Sequence, residues 1–339
     1  MNIREKNRVG RYFRNIFANA FPYKPWRKAI RYAVWEMGFL HFMNYLYYKF
    51  LDFEGVRQLL GNDEPNPSSK NASSTFKNQL SVVSAVKNEA PYIMEWLEYH
   101  LLVGVEKFYL YDNESSDNIK EVLAPYIKEG IVELIDCPGK AQQCYVYADA
   151  IRKHRNDTKW IAIIDLDEFI VPMANEKITD FLKDFERYSQ LIVGWQLYGS
   201  SGYEEKQEGL LMETFKRHAD PDYITNLKVI VNPREVRGVL NPHWCFTYGL
   251  SVDENKQIFD FYPYTNKYSK PISKNKICLN HYYCKSWQEY EEKISKGCAD
   301  GNVLERDRSL FDYYDKNEVF DDCMDKYIEP VKQAINNRK

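Results

Sequence analysis

From Ser81 onward the chain alternates short β-branched runs with helical stripes, and this alternation limits the fold more than any other feature. Ser81–Val86, Lys107–Tyr111, Ile131–Ile135 and Trp160–Ile164 are apolar enough to be buried strands. Between the first two, Pro91 suits the opening turn of a helix. Ile93, Trp96, Leu97, His100 and Leu101 then recur at i, i+3, i+4 spacing, and Gly104 ends the stripe. Ile119, Val122, Leu123, Tyr126 and Ile127 repeat the pattern up to Gly130, and a third helix fits roughly 140–154. Regular strand–helix alternation predicts an α/β fold with a mostly parallel sheet covered by helices. After 172 the pattern loosens. Leu191–Leu197, Leu227–Val231 and Ile277–Asn280 read as strands, Trp287–Lys296 as a helix stopped by Gly297, and 241–276, rich in Pro, Tyr and Asn, as loop.

The strand at 160–164 runs into Asp165-Leu166-Asp167-Glu168-Phe169-Ile170. Residues two apart on a strand project to the same side, so Asp165 and Asp167 aim two carboxylates at one spot just past the strand end. Two such acids repel unless a cation or proton lies between them. The carboxyl ends of parallel strands are where open α/β sheets bind ligands. A divalent ion held there by oxygen ligands could hold a diphosphate. Two further acid-bearing strand ends precede this one: Lys87-Asn88-Glu89, and Asp112-Asn113-Glu114-Ser115-Ser116-Asp117. In a parallel sheet all three open on one rim.

The 339 residues leave room for about two domains, or one large domain with appendages. We divide the chain into a basic, aromatic-rich helical region over 1–60, a linker over 61–80, the main domain over 81–300 and a helical tail over 301–339. Residues 1–35 carry nine Lys/Arg against one Glu, which suits an anionic surface such as a membrane. An arm packing on the main domain is the competing reading. The net charge of −3 argues against a general polyanion binder, so no nucleic acid is expected. Ala33–Leu51 contains Glu36, His41, Asn44 and Lys49, which are costly in hydrocarbon, and reads as an amphipathic or buried helix. Seven scattered cysteines without a C-x-x-C pair indicate neither a zinc site nor a disulfide framework, and fit a reducing compartment.

The acid-bearing strand ends together resemble the nucleotide-binding half of GT-A glycosyltransferases of the family 2 type. The longer motifs resemble glycosyltransferase family 92. They are Val86-Lys-Asn-Glu89, Glu95-Trp-Leu-Glu-Tyr-His100, Ile164-Asp-Leu-Asp-Glu-Phe169, Tyr198-Gly-Ser-Ser-Gly202, Lys228-Val-Ile-Val-Asn-Pro233 and Asn280-His-Tyr-Tyr-Cys-Lys-Ser286. The resemblance covers about 81–300. It implies a GT-A fold and a metal-dependent, inverting transfer of a hexose, often galactose, from a UDP-sugar donor to a glycan or lipid-linked saccharide acceptor. By the same resemblance Asn88, Glu89 and Asp112 line the uridine pocket. Asp165 meets the ribose or the metal, Asp167 ligates Mn²⁺ or Mg²⁺, His281 is a further metal ligand, and Lys285 grips the diphosphate. For His281 the competing role is a hydrogen-bonded core histidine. Inversion needs a general base. Glu213 is the first candidate, with Glu204 and Glu205 as rivals, and a charged surface explains all three equally well. Trp195 and Tyr198 are candidates to stack on the acceptor, with core packing as the alternative, and His243 falls in a candidate acceptor loop. Lys228 and Arg234 read as surface; Lys293 and Lys296 read as a solvated helix face, with reach to phosphate as the alternative. The basic arm, in place of the membrane-anchoring segment common in family members from animals and plants, suggests a cytoplasmic enzyme peripheral to the inner face of the cell membrane. A nucleotidyltransferase is the rival enzyme, though Val86-Lys-Asn-Glu89 contains no glycine-rich phosphate loop. A non-catalytic glycan- or membrane-binding module is the rival outside enzymes.

Overall fold

The computed structural model describes residues 76–223, 226–259, 272–296 and 307–338. The basic arm, the Ala33–Leu51 segment and most of the linker lie outside the described residues. Among the described residues no helix is long and apolar enough to cross a membrane.

The first half follows the alternation. Strand β1 (Asn78–Val86) starts inside what the sequence reads as linker and is followed by helix α1 (Ile93–Leu102). Then come β2 (Lys107–Asp112), α2 (Ile119–Lys128), β3 (Val132–Asp136), α3 (Gln143–His154) and β4 (Thr158–Ile163). The second half holds β5 (Glu168–Pro172), the short helix α4 (Ile178–Leu182), β6 (Gln190–Leu197), the single turn α5 (Leu211–Thr214), β7 (Arg217–His218) and β8 (Leu227–Val231). It continues with β9 (Val236–Asn241), β10 (Trp244–Thr247), β11 (Ser251–Val252), β12 (Ile277–His281), α6 (Trp287–Lys296), α7 (Arg308–Tyr314), β13 (Val319–Phe320) and α8 (Asp325–Arg338). The segment expected to be loop from 241 thus carries β10, paired antiparallel with β9 just before it, and β11.

The main sheet runs in the order β3-β2-β1-β4-β8-β6-β12-β5. Its first four strands are mutually parallel, as right-handed strand–helix–strand crossovers require. Strand β8 then inserts antiparallel between β4 and β6. Strand β12 lies parallel to β6 and antiparallel to β5. This is the α/β, Rossmann-like architecture expected, with three helices following the parallel strands.

Helix α1 shows why the Glu95–His100 motif has its composition. Trp96 Nε1 donates to the Glu168 carbonyl (2.8 Å) and the Tyr99 hydroxyl to the Ile170 carbonyl (3.0 Å), while His100 Nε2 accepts from the Ile170 amide (3.3 Å). Burial drives the His100 imidazole down to about 3, so it stays neutral in this role. Glu95 accepts from the Leu211 and Met212 amides, holding the turn of α5, and Glu98 accepts from the Tyr126 hydroxyl and from Arg338. The motif therefore clamps β5, α5, α2 and the last helix. Helix α8 packs on α1 with Tyr327, Ile328 and Val331 buried in the main core, so the end of the chain is built into the domain.

Candidate active site

Three strand ends meet at one side of the sheet, and the register explains how. Val229 of β8 pairs with Ile163 of β4, so Lys228 falls beside the residues that leave β4. His281, last in β12, pairs with Glu168, first in β5, and the Tyr282 amide donates to the Asp167 carbonyl (2.9 Å). The turn Ile164–Asp167 is thereby held between a lysine on one flank and a histidine on the other.

The two aspartates are divided rather than shared. Asp165 Oδ1 accepts from the Tyr147 hydroxyl (2.9 Å) and Gln143 Nε2 (2.8 Å), both on α3, and its Oδ2 meets Lys228 Nζ at 2.8 Å. Asp167 Oδ2 meets Lys293 Nζ of α6 at 2.7 Å, and its Oδ1 lies 3.4 Å from His281 Nε2. The sequence placed both carboxylates on one cation; in the structure Asp165 holds the Lys228 ammonium and Asp167 holds Lys293 and His281. Strand β4 ends at Ile163, so the two-residue alternation no longer governs Asp165 and Asp167, and Leu166 between them turns into the core.

The electrostatics separate these groups further. Burial pushes the Asp165 carboxyl up, but the Lys228 ammonium overrides it and holds it below the usual carboxylate range. Asp167 is desolvated too, yet Lys293 and His281 pull it well below that range. Glu168, fully buried, goes the other way: desolvation raises it well above its ordinary value despite Lys228 at 3.8 Å. Its Oε2 accepts from the Asp165 amide (2.7 Å), while Oε1 has no partner among the described residues. Lys228 itself is opposed by burial but kept charged by Asp165 and Glu168. It also donates to the Pro242 carbonyl (3.3 Å) in the turn between β9 and β10. Reading Lys228 as surface was wrong: it is completely buried. The local signal was its place inside the apolar run Leu227–Val231, where a charge needs a partner. Lys293 is likewise no mere solvated face, since its ammonium is on Asp167. Arg234 is half-buried and caps the start of β4 through the carbonyls of Arg155, Thr158 and Lys159.

His281 is buried, and desolvation lowers its imidazole against the pull of Asp167, so it is disposed to be neutral and a ligand. Trp195 packs on it with ring centroids 4.3 Å apart, and His243 reaches the other side of Trp195 at 5.4 Å. His243 is driven down to about 3 by burial and by Lys228, and it contacts Asn226 and the Leu227 carbonyl. Both residues therefore flank the site. Tyr198 does not. It is 1% exposed, donates to Asp321 (2.6 Å) and accepts from Asn280 (3.1 Å), so its expected stacking on an acceptor is corrected to a core role.

Lys285 is nearly buried, with its ammonium 3.8 Å from the centre of the Tyr92 ring. Burial lowers its basicity while Glu89 and Asp167 raise it, so it links the rim of the parallel strands to the aspartates. On that rim the Asn88 amide oxygen, at φ +54, accepts from the Ser116 amide (2.7 Å), and Asp112 Oδ1 from the Ser115 amide (2.9 Å). Asn88 thereby ties the loop after β1 to the loop after β2, while Asp112 fixes the loop that follows its own strand.

The three glutamates put forward as bases sit in surface ion pairs or in solvent. Glu204 is held bidentately by Arg308 at 2.7 Å through both oxygens, which keeps its carboxyl below the usual range. Glu213 pairs with Lys332 of α8 at 2.8 Å, and Glu205 is exposed. None shows a contact with Asp165, Asp167 or His281 among the described residues. Exposed ion pairs of this kind are ordinary surface features.

The residues fit a hard divalent ion in one respect. Asp167 Oδ1 and His281 Nε2 stand 3.4 Å apart, a spacing at which one ion could take both. Among those residues no three His, Cys, Asp or Glu side chains are grouped to hold a metal. Two protein ligands would leave the other positions to substrate and water oxygens, the arrangement Mg²⁺ favours.

The model of glycosyltransferase family 92 matches residues 83–314. The chain belongs to that family. A glycosyltransferase family 92 protein of Oryza sativa subsp. japonica is 26% identical over 243 residues, covering 68% of this chain and 39% of that protein. Galactan beta-1,4-galactosyltransferase GALS3 of Arabidopsis thaliana is 30% identical over 111 residues, covering 30% of this chain and 22% of its own length. The chain thus spans well under half of these relatives. Among solved structures, S. aureus TarS 1-349 in complex with UDP is similar at 14% identity, covering 46% of this chain and 47% of that one, with a TM-score of 0.30. The mannosyltransferase PcManGT from Pyrobaculum calidifontis, in complex with GDP-Man and Mn²⁺, is similar at 16% identity, covering 42% and 41%, with a TM-score of 0.27.

Proposed function

We propose that this family 92 chain transfers a hexose, galactose in the first instance, from a UDP-sugar to a saccharide acceptor with inversion. The observation that carries the reading is the cluster of Asp167, His281, Lys285 and Lys293 at the sheet end beside the rim formed by Asn88, Glu89 and Asp112. The galactan galactosyltransferase relatives support galactose as the sugar. Breaking the bond between the anomeric carbon and the diphosphate leaves negative charge on the departing oxygen. Preorganised cations are the largest source of help for such a step. Lys285, which is desolvated, and Lys293 supply two, their ammonium groups lying over the Tyr92 and Tyr283 rings. Asp167 and His281 would hold a divalent Mn²⁺ or Mg²⁺, which when bound supplies Lewis-acid stabilisation to the same oxygens. Asp165 takes a different part. Locked by Lys228, Tyr147 and Gln143, it stays ionised and fixes the turn that presents Asp167.

UDP release from UDP-galactose in the presence of galacto-oligosaccharide, with and without EDTA, tests this. Loss of activity with EDTA and a fall of about 100-fold or more in Asp167→Asn are expected. Wild-type turnover with an undiminished Asp167→Asn rate would overturn the scheme. A location peripheral to a membrane, through residues 1–50, is part of the same proposal, supported by the nine basic residues in 1–35.

A further inference from the structure

A chain of touching aromatic rings leads away from the aspartates toward solvent. His281, beside Asp167, meets the Tyr283 ring at 5.4 Å. Tyr283 meets Tyr314 at 4.9 Å, and Tyr314 meets Tyr313 at 4.9 Å. Lys316 lies 5.6 Å from the rings of both Tyr313 and Tyr223, which brings a fourth tyrosine to the outer end. Exposure rises along the series: His281 is buried, Tyr283 and Tyr314 are half-buried, and Tyr313 is 58% exposed. Beneath the track, Tyr290 and Phe311 are packed in a small core of their own, so the inner rings rest on fixed supports.

Tyr313 keeps 58% of its surface exposed although it packs edge-on against Tyr314 and is hydrogen-bonded to Tyr223. A graded row of tyrosines starting at a candidate transfer site has a plain chemical use. The apolar faces of pyranose rings stack on aromatic faces, and hydroxyl groups at their edges take hydrogen bonds from neighbouring polar groups. The row begins at the metal-ligand candidate, so a saccharide lying along it has one end at the transfer site.

We infer that Tyr283, Tyr314, Tyr313 and Tyr223 form a track for an extended oligosaccharide acceptor, binding the sugar units beyond the one that is glycosylated. This rests on the proposed glycosyl transfer and adds to it a preference for long acceptors over short ones. The track predicts a split between substrates that a general structural role does not.

The experiment compares β-1,4-linked galactobiose with a longer galacto-oligosaccharide as acceptor for wild type, Tyr313→Ala, Tyr314→Ala and Tyr313→Phe, with UDP-galactose as donor. For the long acceptor, KM should rise about three- to tenfold in each alanine variant, as expected for one lost stacking contact. Galactobiose KM, UDP-galactose KM and acceptor-free donor hydrolysis should not move, and Tyr313→Phe should match wild type. An unchanged KM for the long acceptor, or an equal rise for both acceptors, overturns the track. If the wild type releases no UDP from any donor, it is the transfer reading that fails. The track is then read separately by saturation-transfer NMR with the same long oligosaccharide. A signal present in wild type and lost in Tyr313→Ala supports it; an equal signal in both, or none in either, overturns it.

Discussion

Lys228→Met isolates the charge that holds the Asp165 turn. Methionine keeps most of the side-chain volume and removes the ammonium 2.8 Å from Asp165 and 3.8 Å from Glu168. Deleting one partner of a buried pair costs about 3–5 kcal/mol, because the other charge is stranded. Two features reduce that figure. The Asp165 side chain is 34% exposed and keeps its bonds from Tyr147 and Gln143, so water and hydrogen bonds absorb part of the loss. Glu168 is pushed toward its neutral form by burial and leaves little charge to strand. The expected loss at neutral pH is therefore about 2–3 kcal/mol. At about 2–4 °C per kcal/mol for a domain of this size, Tm should fall by roughly 4–12 °C. The pH dependence has a definite sign. Lys228 holds the folded pKa of Asp165 below its unfolded value, so the stability it contributes is present above the unfolded pKa and is lost as pH falls through the folded one. Wild type and variant should converge in that acid window. Urea denaturation at a series of pH values, beside differential scanning fluorimetry, reads both effects. Equal urea midpoints at neutral pH, or a gap that widens on acidification, would refute the reasoning.

Other outcomes follow from the same geometry. Glu204→Gln should change the transfer rate less than about twofold and leave the urea midpoint essentially unmoved, since it breaks only a surface pair with Arg308; steady-state kinetics with matched urea curves checks both. Burial raises Glu95 from its ordinary value to about 7, so the folded state holds a proton that the unfolded state releases, and stability should decline as pH rises from about 4.5 to 7. Glu95→Gln should flatten that decline in pH-dependent denaturation, and an unaltered slope would count against the buried-acid account. Gly199→Ala would put a Cβ 2.4 Å from the Lys316 carbonyl oxygen, so a loss of about 1–3 kcal/mol is expected by chemical denaturation.

The parallel half was legible because its signals are local. Each apolar run, helical stripe and terminal glycine lies within a few residues of what it determines, and β1 to β4 formed within two or three residues of expectation. The site was legible only in part. Asp167 and His281 meet, but through the antiparallel pairing of β5 with β12, which no short window contains. Lys293 reaches Asp167 across 126 residues of sequence and Lys228 reaches Asp165 across 63, so both looked like ordinary solvated lysines. Tyr198 misled for the opposite reason: an aromatic beside a glycine–serine loop looks available, and only the pairing of β6 with β12 shows that it points inward. The β9–β10 ribbon was missed because its register is irregular, which blurs the alternation that marks a strand.

The insertion of β12 between β6 and β5 carries a consequence for how the protein is made. Residues that come off the ribosome early, at 165 and 167, lack their histidine and their second lysine until 281 and 293 have emerged. A nascent chain or a fragment ending before β12 would hold the loops after β1 and β2 but neither His281 nor Lys293 beside Asp167. Completion of that cluster therefore waits on residues 277 to 293, whatever folds earlier.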